Sequence, residues 1–194
     1  MKKICSIILV LSLVLASAGA FAASENDLNS AIFEVTSLGI FEGDENGNLN
    51  IDKTMTRAEF AKIIVVLSGM KDMAAKSFSD PAPDVPASHW ASGYIKYLLD
   101  SGMMKGFEDG TFRPEEKVTL EQCVKTILVV MGFEVVAEGM GGYPDGYTAL
   151  AVKKHMLDGV EGKGNQDALR KDIILVIYNS LDVPNLVRSF SENA

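Results

Sequence analysis

The sequence predicts an all-α protein: three tandem helix-loop-helix repeats packed as a pseudo-threefold helical bundle, preceded by a signal peptide. Three observations lead there. Gly39, Gly43 and Gly47 recur 63 residues later as Gly102, Gly106 and Gly110, and the same offset takes Ile32 to Ile95, Leu49 to Phe112, Thr56 to Thr119 and Gly69 to Gly132 without a gap. A third, shorter copy follows, with Gly146 and Tyr147 lying 53 residues after Gly93 and Tyr94. Its loop loses three residues beyond Gly159, after which Leu169-Arg170-Lys171-Asp172 falls into register with Thr56-Arg57-Ala58-Glu59. Finally, apolar residues recur at helical spacing on both sides of each glycine-rich loop.

In chain order, the first element is a leader. Lys2 and Lys3 precede an apolar run from Ile7 to Leu15 and a small-x-small cleavage signature at Ala20-Phe21-Ala22, so residues 1–22 read as a secretory signal peptide. The run is shorter than the roughly 20 apolar residues of a membrane span. Cys5 leaves with the leader, so the mature chain keeps Cys123 alone and forms no internal disulfide. Without Lys2 and Lys3 the 18 basic residues become 16 against 26 acidic, a net charge of −10. An exported chain this acidic is not expected to bind nucleic acid or to lie on an anionic membrane.

The units span 24–70, 78–133 and 143–182, followed by a short tail at 183–194. In the second, Ala91, Tyr94, Ile95 and Leu98 form a helical stripe that stops at Ser101-Gly102. Asp109-Gly110 marks a turn and Pro114 bars a helix from crossing the loop. A second stripe follows at Val124, Ile127, Leu128 and Met131, matched in the first unit by Phe60, Ile63, Ile64 and Leu67. Both second helices open with capping boxes, Thr56 with Glu59 and Thr119 with Gln122. One such pair cannot bury its own apolar face, so three should share a core. The Pro-rich segment from Lys76 to Pro86 is expected to be an exposed linker.

Capping explains the threonines and the glutamate but not Arg57, nor Arg170 at the matching place in the third unit. A cation at a helix start is mildly disfavoured, by roughly 0.3 to 1 kcal/mol. A guanidinium beside free helix N–H groups would make a convergent anion site suited to a carboxylate. The alternative is local pairing with carboxylates such as Asp52 or Asp167.

Several of these residues together resemble the S-layer homology domain family: Asp84-Val85-Pro86, His89-Trp90-Ala91, Tyr94-Ile95, Gly102, Gly106, Asp109-Gly110-Thr111-Phe112-Arg113-Pro114 and Thr56-Arg57-Ala58-Glu59-Phe60. The resemblance covers nearly all of the mature chain as three copies. It implies a three-pronged helical bundle that binds secondary cell wall polysaccharide non-covalently, through a pyruvylated sugar, in grooves between neighbouring repeats. It implies no cofactor, no catalysis and a location in the wall or surface layer of a bacterium, with other surface-layer proteins as further partners. Residue by residue, Arg57 and Arg170 match the motif arginine and would hold the sugar carboxylate. Trp90 matches the family tryptophan, which either stacks on a sugar or lies in the core; Tyr143 takes its place in the third unit and Asp27 in the first. Gly43, Gly106 and Gly159 match loop glycines where backbone could approach the ligand closely. Leu120 replaces the arginine in the second unit, so at most two grooves are expected to be competent, and Leu169 replaces the capping threonine in the third.

Other chemistries fit less well. Asp44-Glu45-Asn46-Gly47-Asn48-Leu49-Asn50 alternates oxygen ligands, but an EF-hand loop needs Gly at its sixth position and Glu at its twelfth, which here are Leu49 and Met55. No pair of carboxylates recurs as a glycosidase would need. With His89, His155 and one thiol, neither zinc nor a nucleophile–base pair is suggested. An assembly module that binds protein without glycan recognition is the alternative, with Met103, Met104 and Met156 as its adaptable surface.

Overall fold

The computed structural model describes residues 27–74 and 79–186. The signal peptide at 1–22, linker residues 76–78 and tail residues 187–194 lie outside the described residues. Helix α1 covers residues 27–37, and α2 (Arg57–Leu67), α3 (Lys71–Ala74), α4 (Ser92–Ser101), α5 (Leu120–Val130), α6 (Glu134–Gly139), α7 (Asp145–Lys153) and α8 (Arg170–Leu181) follow. The fold is all-α, with no strand among the described residues.

Helices α1 and α2, α4 and α5, and α7 and α8 are the three pairs. Both capping boxes form: Thr56 Oγ1 accepts from Glu59 N at 3.2 Å while Glu59 Oε2 accepts from Thr56 N at 2.8 Å, and Thr119 and Gln122 repeat the exchange. Leu169 gives α8 no side-chain cap. Gly102 closes α4 in the left-handed region at φ 72°, Gly39 does the same after α1 at 67°, and the third unit puts His155 there at 60°, a conformation costly for a residue with a Cβ.

The pairs close into a ring. Isolated bridges join Thr56 to Lys117, Thr119 to Asp167 and Thr54 to Leu169, linking the approach to each second helix with that of its neighbour. The same ring caps the helices. Arg57 N and Ala58 N donate to Glu116 O and Pro114 O, Leu120 N and Glu121 N to Gln166 O and Gly164 O, and Arg170 N and Lys171 N to Lys53 O and Ile51 O, all at 2.8 to 3.1 Å. Each second helix thus has its first orphan donors satisfied by the loop of another unit.

The apolar faces meet inside this ring. Ile64, Ile127, Leu128, Ile173, Val176 and Ile177 are fully buried, and α8 is buried on nearly every face from Ile173 to Ile177, as a central helix must be. Cys123 is buried too, and burial raises its thiol pKa well above the ordinary value. The segment expected to be a free linker is instead docked: Ala82 and Val85 are buried, and the Asp84 carboxylate accepts from Phe112 N and Arg113 N at 2.8 and 2.7 Å. The prolines signalled an irregular path but hid this anchor.

Candidate functional site

Each motif arginine reaches across the ring into the loop of another unit. Arg57 leaves the first turn of α2, donates from Nε to Phe112 O at 2.8 Å and from Nη2 to Lys105 O at 3.1 Å, and lies over the rings of Phe112 and Phe107 at 4.6 and 4.9 Å. Arg170 leaves the first turn of α8, donates from Nε to Leu49 O at 2.6 Å and from Nη2 to Glu42 O at 3.3 Å, and lies over Phe41 at 4.7 Å. Its Nη1 approaches Glu59 Oε1 at 3.7 Å. Neither pairs with Asp52 or Asp167; Asp52 goes to Lys171 at 3.2 Å.

These contacts explain the disfavoured cation at a helix start. The arginine holds a neighbouring loop through its backbone carbonyls. They also correct the expectation of free helix amides beside the guanidinium, because those amides are already spent on neighbouring carbonyls. Of guanidinium and helix amides, the guanidinium alone is left to attract an anion. Burial pulls both arginine pKa values below the ordinary arginine value, opposed by Glu116 at Arg57 and Glu59 at Arg170, and both side chains remain cationic.

A cleft opens beside each arginine. The one at Arg57, about 200 Å³, is lined by Lys105, Gly106, Gln122, Lys125 and Tyr143. The one at Arg170, about 480 Å³, is lined by Glu42, Gly43, Glu59, Lys62 and Trp90. The two match position for position: arginine, loop glycine, capping-box partner, lysine one helical turn on, and an aromatic. Each cleft therefore draws its arginine from one unit, its loop and lysine from a second, and its aromatic from the third.

Trp90 is 55% exposed and stacks on His89, so it is a surface group and not core. Tyr143 is 43% exposed and donates its hydroxyl to Glu121 Oε1 at 3.1 Å. Desolvation first, then Glu121, pushes its pKa up to about 12, so it stays a neutral phenol. Gly43 and Gly106 are pressed against backbone: a Cβ there would meet Gly47 C at 2.6 Å and Thr111 O at 2.8 Å. Gly159 has open space around it instead, stands at φ 74° and lines neither cleft.

The lysines Lys62 and Lys125 went unread in the sequence, although they obey the same 63-residue offset as the glycines. Of the methionines, Met104 and Met156 are buried and Met103 lines the Arg57 cleft. The oxygens of Asp44 accept from Asn46 N, Asn48 N and Asn50 Nδ2, which makes that acid a loop cap.

Fold and clefts define a helical module with open clefts at two of the seams between its units. Comparison with known proteins gives the family. Residues 30–61 and 83–122 match the S-layer homology domain, and these two segments belong to that family. It is 30% identical to the middle cell wall protein of Brevibacillus brevis over 94% of this chain and 18% of that protein. Identity is 28% to a surface layer protein of Brevibacillus choshinensis, over 94% of this chain and 17% of the relative. A cellulosome-anchoring protein of Acetivibrio thermocellus is 33% identical over 50% of this chain and 22% of its own length. The chain thus spans less than a quarter of the length of these relatives.

Proposed function

We propose that this chain is a non-catalytic anchor that binds secondary cell wall polysaccharide carrying pyruvylated, carboxylate-bearing sugars, through the clefts at Arg57 and Arg170, with residues 143–182 as the third repeat. The export signal and the surface-protein relatives agree on a location at the bacterial cell wall. The observation that carries the reading is the repeated trio: a guanidinium, a lysine and an exposed aromatic converge in each of two clefts built from different residues. A cation pair suits a carboxylate, and an aromatic face suits the apolar face of a sugar ring. The wall sugar is therefore the partner, with no membrane insertion and no cofactor.

A protein-docking role has one observation in its favour. Phe33, Val135 and Val152 are 71%, 83% and 59% exposed. They stand on different helices, α1, α6 and α7, and line neither cleft. Pelleting with purified wall sacculi separates the two roles. Anchoring predicts that the mature chain sediments with sacculi, and that it stays in solution once the non-peptidoglycan polysaccharide has been extracted. Replacing Lys62 and Lys125 by alanine should weaken sedimentation with helical content unchanged. Sedimentation that survives extraction overturns the glycan reading.

A further inference from the structure

The two clefts are built alike and differ most in charge. Where Lys105 lines the Arg57 cleft, Glu42 lines the Arg170 cleft. Phe107 likewise corresponds to Asp44, and Gln122 to Glu59. The Arg57 cleft gathers Arg57, Lys105 and Lys125 against the single carboxylate of Glu134. The other gathers Arg170, Lys53 and Lys62 against Glu42, Asp44 and Glu59.

This cancellation is local. Glu42 holds Lys62 at 2.6 Å and Lys71 at 3.3 Å, and Glu59 stands 3.7 Å from Arg170. Lys125, the counterpart of Lys62, instead lies over the rings of Tyr143 and Tyr147 at 4.9 and 5.6 Å. An acid entering the Arg170 cleft would have to sit beside Glu42 or displace it from its lysines, and like charges brought together are strongly disfavoured. The same cleft is the larger and carries the exposed indole of Trp90, a platform for an uncharged ring.

We infer that the clefts divide the glycan between them: the Arg57 cleft takes the sugar residue that bears the carboxylate, the Arg170 cleft takes an uncharged sugar residue, and Glu42 turns the carboxylate away from the second. The inference rests on the glycan-anchoring reading above and adds which sugar goes where.

The test is a nuclear magnetic resonance titration of the isotope-labelled mature chain with a methyl hexoside carrying a pyruvate ketal, and separately with the methyl ester of that compound. Amides of Lys105 and Gly106 report one cleft, those of Glu42 and Gly43 the other. The acid should saturate the first pair at concentrations at least ~10-fold lower than the second, and the ester should lose that preference. Glu42→Lys, which copies Lys105, should bring the second cleft to within ~3-fold of the first, with Glu42→Gln part of the way. Lys105→Glu should weaken the first cleft alone. If Glu42→Lys does not fold, Glu42→Gln carries the comparison.

Equal saturation of both clefts by the acid, tighter binding at Arg170, no shift at either, or no gain in folded Glu42 variants each overturns the division. Sacculus pelleting of the wild type, run in parallel, separates the two ideas. Polysaccharide-dependent pelleting together with equal shifts removes the division and keeps anchoring. Absence of pelleting removes both.

Discussion

The seams at Arg57 and Arg170 and the third seam at Leu120 share a backbone and almost nothing else. At the third, Leu120 stands in place of the arginine and Leu175 in place of the lysine, 4% and 8% exposed, and Asp27 stands where the others present Trp90 or Tyr143. Yet Leu120 N and Glu121 N still donate to the carbonyls of Gln166 and Gly164, as at the other two seams. Scaffold and recognition are therefore separable. Backbone bonds close the ring wherever a loop meets a helix start, and side chains decide which closures also carry a charged cleft. The third seam keeps a trace of imbalance: Asp172 is 2% exposed and its Oδ1 has no hydrogen-bond partner.

The largest expected effect is at the arginines, which brace the loops as well as lining the proposed binding clefts. Arg57→Ala removes two carbonyl contacts and should cost about 2 to 4 kcal/mol of stability. Arg170→Ala, at a side chain with more solvent around it, should cost about 1 to 2 kcal/mol. Denaturant midpoints measure both, and unchanged midpoints would show that the loops do not depend on them. For this reason the loss of wall binding is better tested at the lysines.

Next in size is the third seam. Asp172→Asn removes a buried carboxylate with an unpartnered oxygen and should raise stability by about 1 kcal/mol at neutral pH. A lower melting temperature would mean that the charge is used after all, for instance by the start of α8. Smaller again is His155→Gly, which should gain roughly 0.5 to 1 kcal/mol by giving the third unit the residue that the left-handed turn favours. Gly39→Ala, its mirror experiment, should lose a similar amount.

The smallest effect distinguishes the loops by pH. Asp109 is held at about 2, first by the Thr111 hydroxyl, then by the Thr111 N–H and Arg113, and Asp44 is lowered first by the Asn48 N–H. Folding depresses both below the ordinary 3.8, so their contributions are complete above that value. As pH falls from about 4 toward 2 they are lost, Asp109 last. Carboxyl carbon shifts followed over that window check the order; Asp109 titrating at or above Asp44 would refute it.

Much of the fold was legible because it is periodic. A constant offset exposes a repeat whatever its structure, and Thr56-Glu59 and Thr119-Gln122 carry their meaning within four residues. The oddity of a cation at a helix start singled out Arg57 and Arg170. What satisfied them was not legible: the acceptors are backbone carbonyls of Phe112, Lys105, Leu49 and Glu42, which a residue of any type would have supplied, at distances along the chain that only the closed ring explains. The same holds for the helix amides, whose neighbours' carbonyls leave no mark in sequence. Lys62 and Lys125 were legible and passed over, because a lysine on a helix reads as solvated until a cleft is seen beside it.

The ring of exchanged backbone caps ties the integrity of each unit to that of its neighbours. No module owns a complete set of donors and acceptors, so a protease cut in any one connecting loop would strip the helix start it serves and slacken the seams on either side. A single nick would therefore loosen more of the molecule than the unit in which it falls.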